Sequence, residues 1–285
     1  MNGNTAAKNK LVTLTIGGSD SGGGAGIQAD IKTFSVLGVH GTSAVTAITA
    51  QNTVGVQRIF GLEPEVVTAQ LRSITDDFHV AFAKTGMLYS AEIVSVVAKH
   101  IEETGIPLVV DPVIEAEAGG RLLRPGAVAA LMKSLLPLAR VVTPNIFEAR
   151  AIAGTEVKDV DSTEIAARRI ADLGPRAVII KGGHLDCTDL VIEDNRVHLL
   201  KGERVTGGNH GVGCTYSASL TAFLAKGLPL MEAAAKAKQF AAQAISWSMD
   251  VGRGVGPVDQ AGNLREEANE FEALLKENGC RDPPD

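Results

Sequence analysis

Short apolar runs alternate with segments of helical spacing along most of the chain. Leu11–Ile16 is apolar and β-branched and reads as a strand, Gly17–Gly26 is a glycine-dense loop, and Ile27, Ile31, Phe34 and Leu37 then recur at helical spacing up to Gly38. That is the opening of a βαβ unit. Gly41–Ala50 reads as a second strand, and Val54–Phe60 alternates like an edge strand or flap. The pattern then predicts a helix from Pro64 to about Asp77, a strand over Ala81–Lys84, a helix over Ala91–Glu103 and a buried strand over Pro107–Val110. Residues 114–124 read as a loop, Pro125 starts a helix to about Leu136, and Arg140–Thr143 is a strand. Asn145 opens a further helix. Ser162–Leu173 is helical, Ala177–Lys181 is a strand, and Asp189–Leu200 reads as a hairpin turning at Asp194-Asn195. One helix is expected from near Gly213 to a glycine cap at Gly227, and a last one over Leu230–Met249.

Alternation of this kind predicts an α/β three-layer sandwich, a mostly parallel central sheet with helices on both faces. No linker or internal repeat interrupts it, so one domain is expected over residues 10–275, with 1–9 and 280–285 as disordered tails. Ligands in such sheets sit beyond the carboxyl ends of the strands. Asp20, Gln51, Met87, Asp111, Asn145 and Lys181 all follow or end strands and are expected on one edge.

Composition narrows the function. The net charge is −6 with no Lys/Arg tract, which argues against a nucleic-acid partner. Ala127–Val142, the most apolar long stretch, is interrupted by Lys133, Pro137 and Arg140, so no membrane span of about 20 clean apolar residues is expected. The start of the chain lacks an apolar signal region, and the cysteines (Cys187, Cys214, Cys280) show neither CxxC nor metal-ligand spacing. A reduced, cytoplasmic setting is expected. Aromatic residues are only 4%, so Ala, Val, Leu and Ile must build the core.

The stretch Gly207–Gly227 holds the most suggestive chemistry. Glycines 207, 208, 211 and 213 allow tight turning and close approach to a ligand. The helix after them presents unpaired amides and a partial positive charge to any anion at its start. Cys214 sits there, and the helix terminus is expected to lower its pKa and make it a base or ligand contact; a buried structural cysteine is the alternative. The amides from Gly211 to Cys214 suit charge on a moving phosphoryl group, and Val212 is tolerable among them because backbone donors do not depend on the side chain. Asn145-x-x-Glu148 reads two ways. It has the form of a helix capping box, and its carboxylate could also hold Mg2+ through water. Lys181, before two glycines, is either a solvated strand end or a contact to a nucleotide phosphate. Asp20, in the first glycine loop, is a candidate acceptor for a ligand hydroxyl. That loop matches neither GxGxxG nor the P-loop. His210 is the histidine closest to this chemistry, and no histidines pair at metal-binding spacing.

With these residues in view, the chain resembles the hydroxymethylpyrimidine/phosphomethylpyrimidine kinases of thiamine biosynthesis, in the ribokinase-like superfamily. The resemblance is carried in order by IGGSDSGGGAGIQA from Ile16, TAITAQNTVGVQ from Thr46, AKTGML from Ala83, Asp111-Pro112-Val113, Thr143-Pro144-Asn145, Lys181-Gly182-Gly183-His184 and His210-Gly211-x-Gly213-Cys214-Thr215. It covers roughly residues 11–250. It implies a ribokinase-like fold and ATP-dependent phosphorylation of 4-amino-5-hydroxymethyl-2-methylpyrimidine and then of its monophosphate, with Mg2+. By resemblance Gly18, Ala25, Gln51, Met87 and Val113 line the pyrimidine pocket. Cys214 stands by the hydroxymethyl group with Gly211 and Gly213, and Asn145, Lys181, Val212 and Glu148 lie on the ATP–Mg2+ side. A homodimer is implied too. Pyridoxal or pyridoxine kinase, and a pyrimidine-phosphate sensor without catalysis, are the competing readings. The chain departs from the family's usual threonines at Asn209 and Val212, and its loop Ile114–Gly119 is unusually acidic.

Overall fold

The computed structural model describes residues 10–115, 122–183 and 186–268. The two expected tails and most of the acidic loop, residues 116–119, lie outside them. β1 (Val12–Asp20) outruns its apolar segment: pairing with β2 (His40–Asn52) carries it through Gly17 and Gly18 to Asp20, with a register shift between the two glycines. The first part of the expected glycine loop, Gly17 to Asp20, is therefore strand. α1 (Gly26–Val36) connects the two, and β3 (Gly55–Gly61) folds back antiparallel on β2 as the edge strand its alternation predicted.

α2 (Pro64–Thr75), β4 (Val80–Thr85), α3 (Ala91–Thr104) and β5 (Leu108–Val110) follow. α3 is bounded by chemistry visible in the sequence: Ser90 accepts the Ile93 N–H at its start, and Gly105 takes the left-handed turn (φ 66°) at its end. α4 (Ala127–Ala130) differs from the single helix expected to Leu136, because it widens into a π turn over Leu131–Leu135 and tightens into a 3-10 turn over Leu136–Leu138. Pro137 has no N–H to return to the carbonyl four residues earlier, so a regular α-helix cannot continue through it.

β6 (Val141–Val142), α5 (Ile146–Ala153), α6 (Val160–Ala171), β7 (Ala177–Ile180), the hairpin β8 (Asp189–Glu193) and β9 (Arg196–Leu200), α7 (Val212–Ala225) and α8 (Leu230–Ser246) complete the order. The hairpin turns on Asp194 and Asn195, both at positive φ, which matches the right-handed twist of its strands.

Among the described residues the sheet has nine strands in the order β3-β2-β1-β4-β5-β6-β7-β8-β9. The run from β2 to β7 is parallel, and antiparallel pairs occur only at the two margins. Alternate residues of the central strands divide the core. Leu108, Val110, Val142, Val178 and Ile180 face one layer of α2 to α6, where Leu71, Ile93, Leu131 and Ile170 meet them. Val109, Val141, Ala177 and Ile179 face α7 and α8 through Tyr216, Leu220, Ala237 and Ala241. Each fully buried Leu or Ile contributes roughly 1.5–3 kcal/mol. The alanine-rich faces of α7 and α8 let those helices lie close to one another and to the sheet. Among the described residues no helix is long and apolar enough to cross a membrane.

His100, buried on α3, is held neutral because burial penalises its charged form, lowering its pKa. The unfolded chain takes up that proton below about pH 6.5 and the folded chain resists it, so stability is full above that pH and falls as the pH drops through it. In His100→Met the loss of Tm between pH 7 and 5 should be shallower than in the parent, as read by thermal denaturation; an equally steep loss would remove His100 as its source.

Candidate active site

The carboxyl ends of the parallel strands open on a cleft of about 1630 Å3. Asp20, the last residue of β1, organises its first wall. Its carboxylate accepts the N–H groups of Gly22 (2.8 Å), Gly24 (3.1 Å) and Ala25 (2.9 Å), and pairs with His210 Nε2 at 2.9 Å. Burial alone would raise its pKa, but His210 and the Ala25 and Gly22 N–H groups outweigh burial and hold it below the ordinary value. A free acceptor for a ligand hydroxyl was expected here. Instead the oxygens already carry the loop that leads into α1, because the N–H groups of Gly22, Gly24 and Ala25 would otherwise be left unpaired.

The same contact brings in the stretch before α7. Gly211 caps α7 at φ 87°, and a Cβ there would overlap the Gly24 carbonyl oxygen. Only glycine allows both the turn and the approach. Gly18, Ala25, Gln51, Met87 and Val113 all line the cleft. The Met87 methyl lies over Gly18, where a Cβ would collide with it, and Ala47, Leu122 and Val113 join Met87 in an apolar wall. Gln51 Oε1 accepts the Thr49 hydroxyl at 3.1 Å and its Nε2 stands 3.4 Å from His210 Nε2.

At the ends of β5, β6 and β7 lies a second, charged wall. Asp111 is buried and binds Lys181 Nζ at 2.8 Å, the Ser217 hydroxyl of α7 at 2.9 Å and the Thr143 hydroxyl at 3.4 Å. Asn145 and Glu148 form a complete capping box on α5: the Asn145 side chain accepts the Glu148 N–H at 2.9 Å, and Glu148 Oε2 accepts the Asn145 N–H at 2.8 Å. Glu148 is nonetheless buried beside the cleft, and burial pushes its carboxyl up to about 7 against the pull of Lys181. Burial works against charge on Lys181 as well, yet Asp111 and Glu148 keep its ammonium charged above the usual range. Among the described residues no cluster of three or more His, Cys, Asp or Glu side chains is arranged to enclose a metal.

Two expectations about the α7 terminus need correction. The Val212 N–H is taken by the Asn209 carbonyl at 3.0 Å, so the first-turn amides left for an anion are those of Gly213 and Cys214. The Cys214 thiol is not acidified. Burial pushes it up to about 12, outweighing the help of Lys84 and the Gly26 N–H, while Asp30 and Asp111 push the same way as burial. A helix terminus favours a thiolate only as far as the loss of water does not cost more.

Beyond Lys181 the cleft runs on between the segment 200–209 and α8, past Gly202, Lys238, Gln239 and Ala242. Lys238 Nζ binds Asp189 Oδ1 at 2.7 Å under that segment, and Asp189 Oδ1 also accepts the Gly182 N–H at 2.9 Å. The cleft thus has an apolar, amide-edged end, an anion-binding middle and a long second arm.

Comparison with known proteins decides the family. The phosphomethylpyrimidine kinase family model matches residues 20–259. The chain belongs to the phosphomethylpyrimidine kinase family. It is 49% identical over 255 residues to the hydroxymethylpyrimidine/phosphomethylpyrimidine kinase of Haemophilus influenzae, covering 86% of this chain and 95% of that one. It is 47% identical over 251 residues to the thiamine biosynthesis bifunctional protein ThiED of Geobacter sulfurreducens, covering 86% of this chain and only 51% of that longer protein. The ADP complex of Bacillus subtilis pyridoxal kinase shares its fold with a TM-score of 0.83 at 40% identity, covering 90% of this chain and 99% of that one. The ribokinase-like three-layer fold is therefore shown, and as a kinase of this family the chain uses ATP.

Buried polar residues beneath the cleft that sequence patterns left unassigned are Asp30, Lys84, Thr143 and Ser217. Lys84 had a signal, a lysine inside the otherwise apolar strand that ends at Thr85. Asp30 had a weaker one, a carboxylate at an inward position of α1. Asp20→Asn should release the glycine loop, raising KM for the acceptor by tenfold or more while KM for ATP stays within about threefold. Steady-state kinetics with each substrate varied checks this, and equal effects on both would show a general loss of structure.

Proposed function

We propose that this chain transfers the γ-phosphoryl group of ATP to the hydroxymethyl oxygen of 4-amino-5-hydroxymethyl-2-methylpyrimidine, and then phosphorylates the monophosphate to the diphosphate, within thiamine biosynthesis. The observation that carries it is the placing of an amide-edged apolar pocket directly against a helix terminus with Lys181 beside it. Gln51 offers both a donor and an acceptor to an aminopyrimidine edge. Met87, Val113, Gly18 and Ala25 cover the ring. The Gly213 and Cys214 amides face the position where charge develops in transfer, and Gly211 aims them. Asn145 and Lys181 serve the donor phosphates. The second arm suits the rest of the nucleotide.

ATP supplies the phosphoryl group when bound, and Mg2+ neutralises its phosphate charge. Glu148 is the residue we assign to that ion, through water, since Mg2+ dehydrates reluctantly and needs few protein ligands. Its carboxyl accepts the Asn145 N–H on Oε2 and also the Ile114 N–H, which fixes it beside the cleft. Cys214 is assigned to the substrate hydroxyl. Transfer through a loose transition state demands little proton removal at the start, so the thiol can hold the hydroxyl in place, and its deprotonated form, having given its own proton to solvent, takes the hydroxyl proton as the new P–O bond forms. We further propose a cytoplasmic homodimer. Ile48 and Phe60, directly paired across β2 and β3 and both exposed, support an association of that edge.

Pyridoxal phosphorylation is the second reading, favoured by the close likeness to the Bacillus subtilis pyridoxal kinase. A coupled ATP-consumption assay with the pyrimidine, its monophosphate and pyridoxal separates them. The pyrimidine and its monophosphate should turn over fastest; faster turnover of pyridoxal would reverse the assignment, and binding without ATP consumption would make the chain a sensor. Cys214→Ala should lower kcat by about 10²- to 10³-fold, the usual range for a lost proton-transfer group, with pyrimidine affinity nearly kept. Unchanged kcat would make the thiol a packing residue. Glu148→Gln can still accept the Asn145 N–H, so it should keep the Tm while raising the Mg2+ concentration needed for half-maximal rate by tenfold or more. A lowered Tm with an unchanged Mg2+ requirement would leave Glu148 as a cap alone.

A further inference from the structure

A lysine and an aspartate meet at the cleft floor, both buried. Lys84 Nζ binds both oxygens of Asp30, at 2.7 and 2.9 Å, and Thr15 donates to Asp30 Oδ2 at 2.6 Å. Lys84 is 0% and Asp30 1% exposed. A buried ion pair gains little stability, because taking both charges out of water costs about as much as their attraction returns, and apolar replacements often do as well. Packing therefore does not account for it.

Its position does. α1 packs against α7, and α7 lies on β4, the strand of Lys84. The first amide of α1, on Gly26, hydrogen-bonds to the Cys214 sulfur. Asp30 stands four residues further on, on the same face of α1, one turn below that sulfur. Asp30, Lys84 and Cys214 all line one cleft. We propose that Lys84 and Asp30 are positioning residues for phosphoryl transfer: the Lys84 ammonium supports the Cys214 sulfur as it becomes a thiolate, and Asp30 holds that ammonium charged and in place. The proposal rests on the reading that Cys214 serves the transfer.

The charges around the sulfur come from four elements. Lys84 on β4 is the strongest that favours the thiolate. Asp30 on α1 and Asp111 on β5 oppose it, and Lys181, next to the start of α7, carries a charge that the thiolate would in turn stabilise. Asp111 is already matched by Lys181 at 2.8 Å. That leaves the balance of Lys84 against Asp30 to set the thiol. In transfer, the acceptor oxygen forms a bond to phosphorus as the bond to the leaving ADP oxygen breaks. The Cys214 thiol first gives its own proton to solvent, the hydroxyl proton passes to the resulting thiolate, and the thiol is thereby re-formed for the next turnover. The ammonium gains no proton and loses none.

The test is the rate of Cys214 alkylation by iodoacetamide against pH in the intact protein, read by mass on the Cys214 peptide so that Cys187 and Cys280 do not contribute. Lys84→Met should move the alkylation limb to higher pH, with alkylation about tenfold slower for each unit. Asp30→Asn should also move it to higher pH, since buried Lys84 then loses the carboxylate that keeps it charged. Lys84→Met should also lower kcat by tenfold or more, with KM for the pyrimidine within about threefold. A merely structural pair would leave both limbs in place, and unmoved limbs overturn the proposal. Where a single variant fails to fold, the double variant Lys84→Met/Asp30→Asn keeps a neutral pair of similar shape. Its limb must lie above the parent's, and an unmoved limb overturns the proposal as well. Failure of the underlying reading looks different: Cys214→Ala would keep full turnover while both limbs still moved up.

Discussion

One carboxylate ties the two ends of the chemistry together. Asp20 closes β1, gathers the N–H groups that lead into α1, and reaches His210, 190 residues later, at 2.9 Å. Through that contact the glycine turn before α7 is laid against the glycine turn before α1, close enough that Gly211 touches the Gly24 carbonyl oxygen and could carry no side chain. Two helix termini are thereby pointed into one cleft. A side chain at either turn would push them apart, and the amides of Gly213 and Cys214 would no longer converge with the pocket wall built on Gln51 and Met87.

The rest of the site follows from where parallel strands stop. Parallel strands end together, so the residue after each one arrives at the same edge of the sheet. Asp111, Asn145 and Lys181 come from successive strands and meet without any of them being near another in sequence. The site is consequently dense in charge and poor in water. Asp111 against Lys181 and Asp30 against Lys84 leave two matched pairs at its base, each made of one carboxylate and one ammonium. Matched pairs suit a site that must receive a highly anionic nucleotide, since unpaired carboxylates there would repel it.

Much of this was legible in advance. The period of apolar residues marked almost every strand and helix, since burial on one or both faces is a local property of spacing. Glycine and proline marked the ends, as at Gly105 and Pro64. The capping box at Asn145 and Glu148 was legible from two letters three apart. Two elements misled for identifiable reasons. β1 was cut short at Gly17 because glycine has no side chain to register burial, although its backbone pairs with β2 to the end. α4 was drawn as one helix because its apolar spacing outweighed a single proline.

The sequence by itself determined the alternation of strands and helices, the family motifs and the glycine turns, because those depend on neighbours along the chain. It could not decide the state of a side chain whose surroundings come from elsewhere. Cys214 at a helix terminus ought to be acidic, yet α1, β4 and β5 pack about it, leave it half-buried and take away part of the water that would have solvated a thiolate. Asp20 in a glycine loop ought to be free, yet three donors from its own loop and His210 from a distant segment already occupy it. The ion pair of Asp30 and Lys84 is invisible until α1 lies on β4. Charge and solvation are set by everything within a few ångströms, and only the tertiary structure decides what that is.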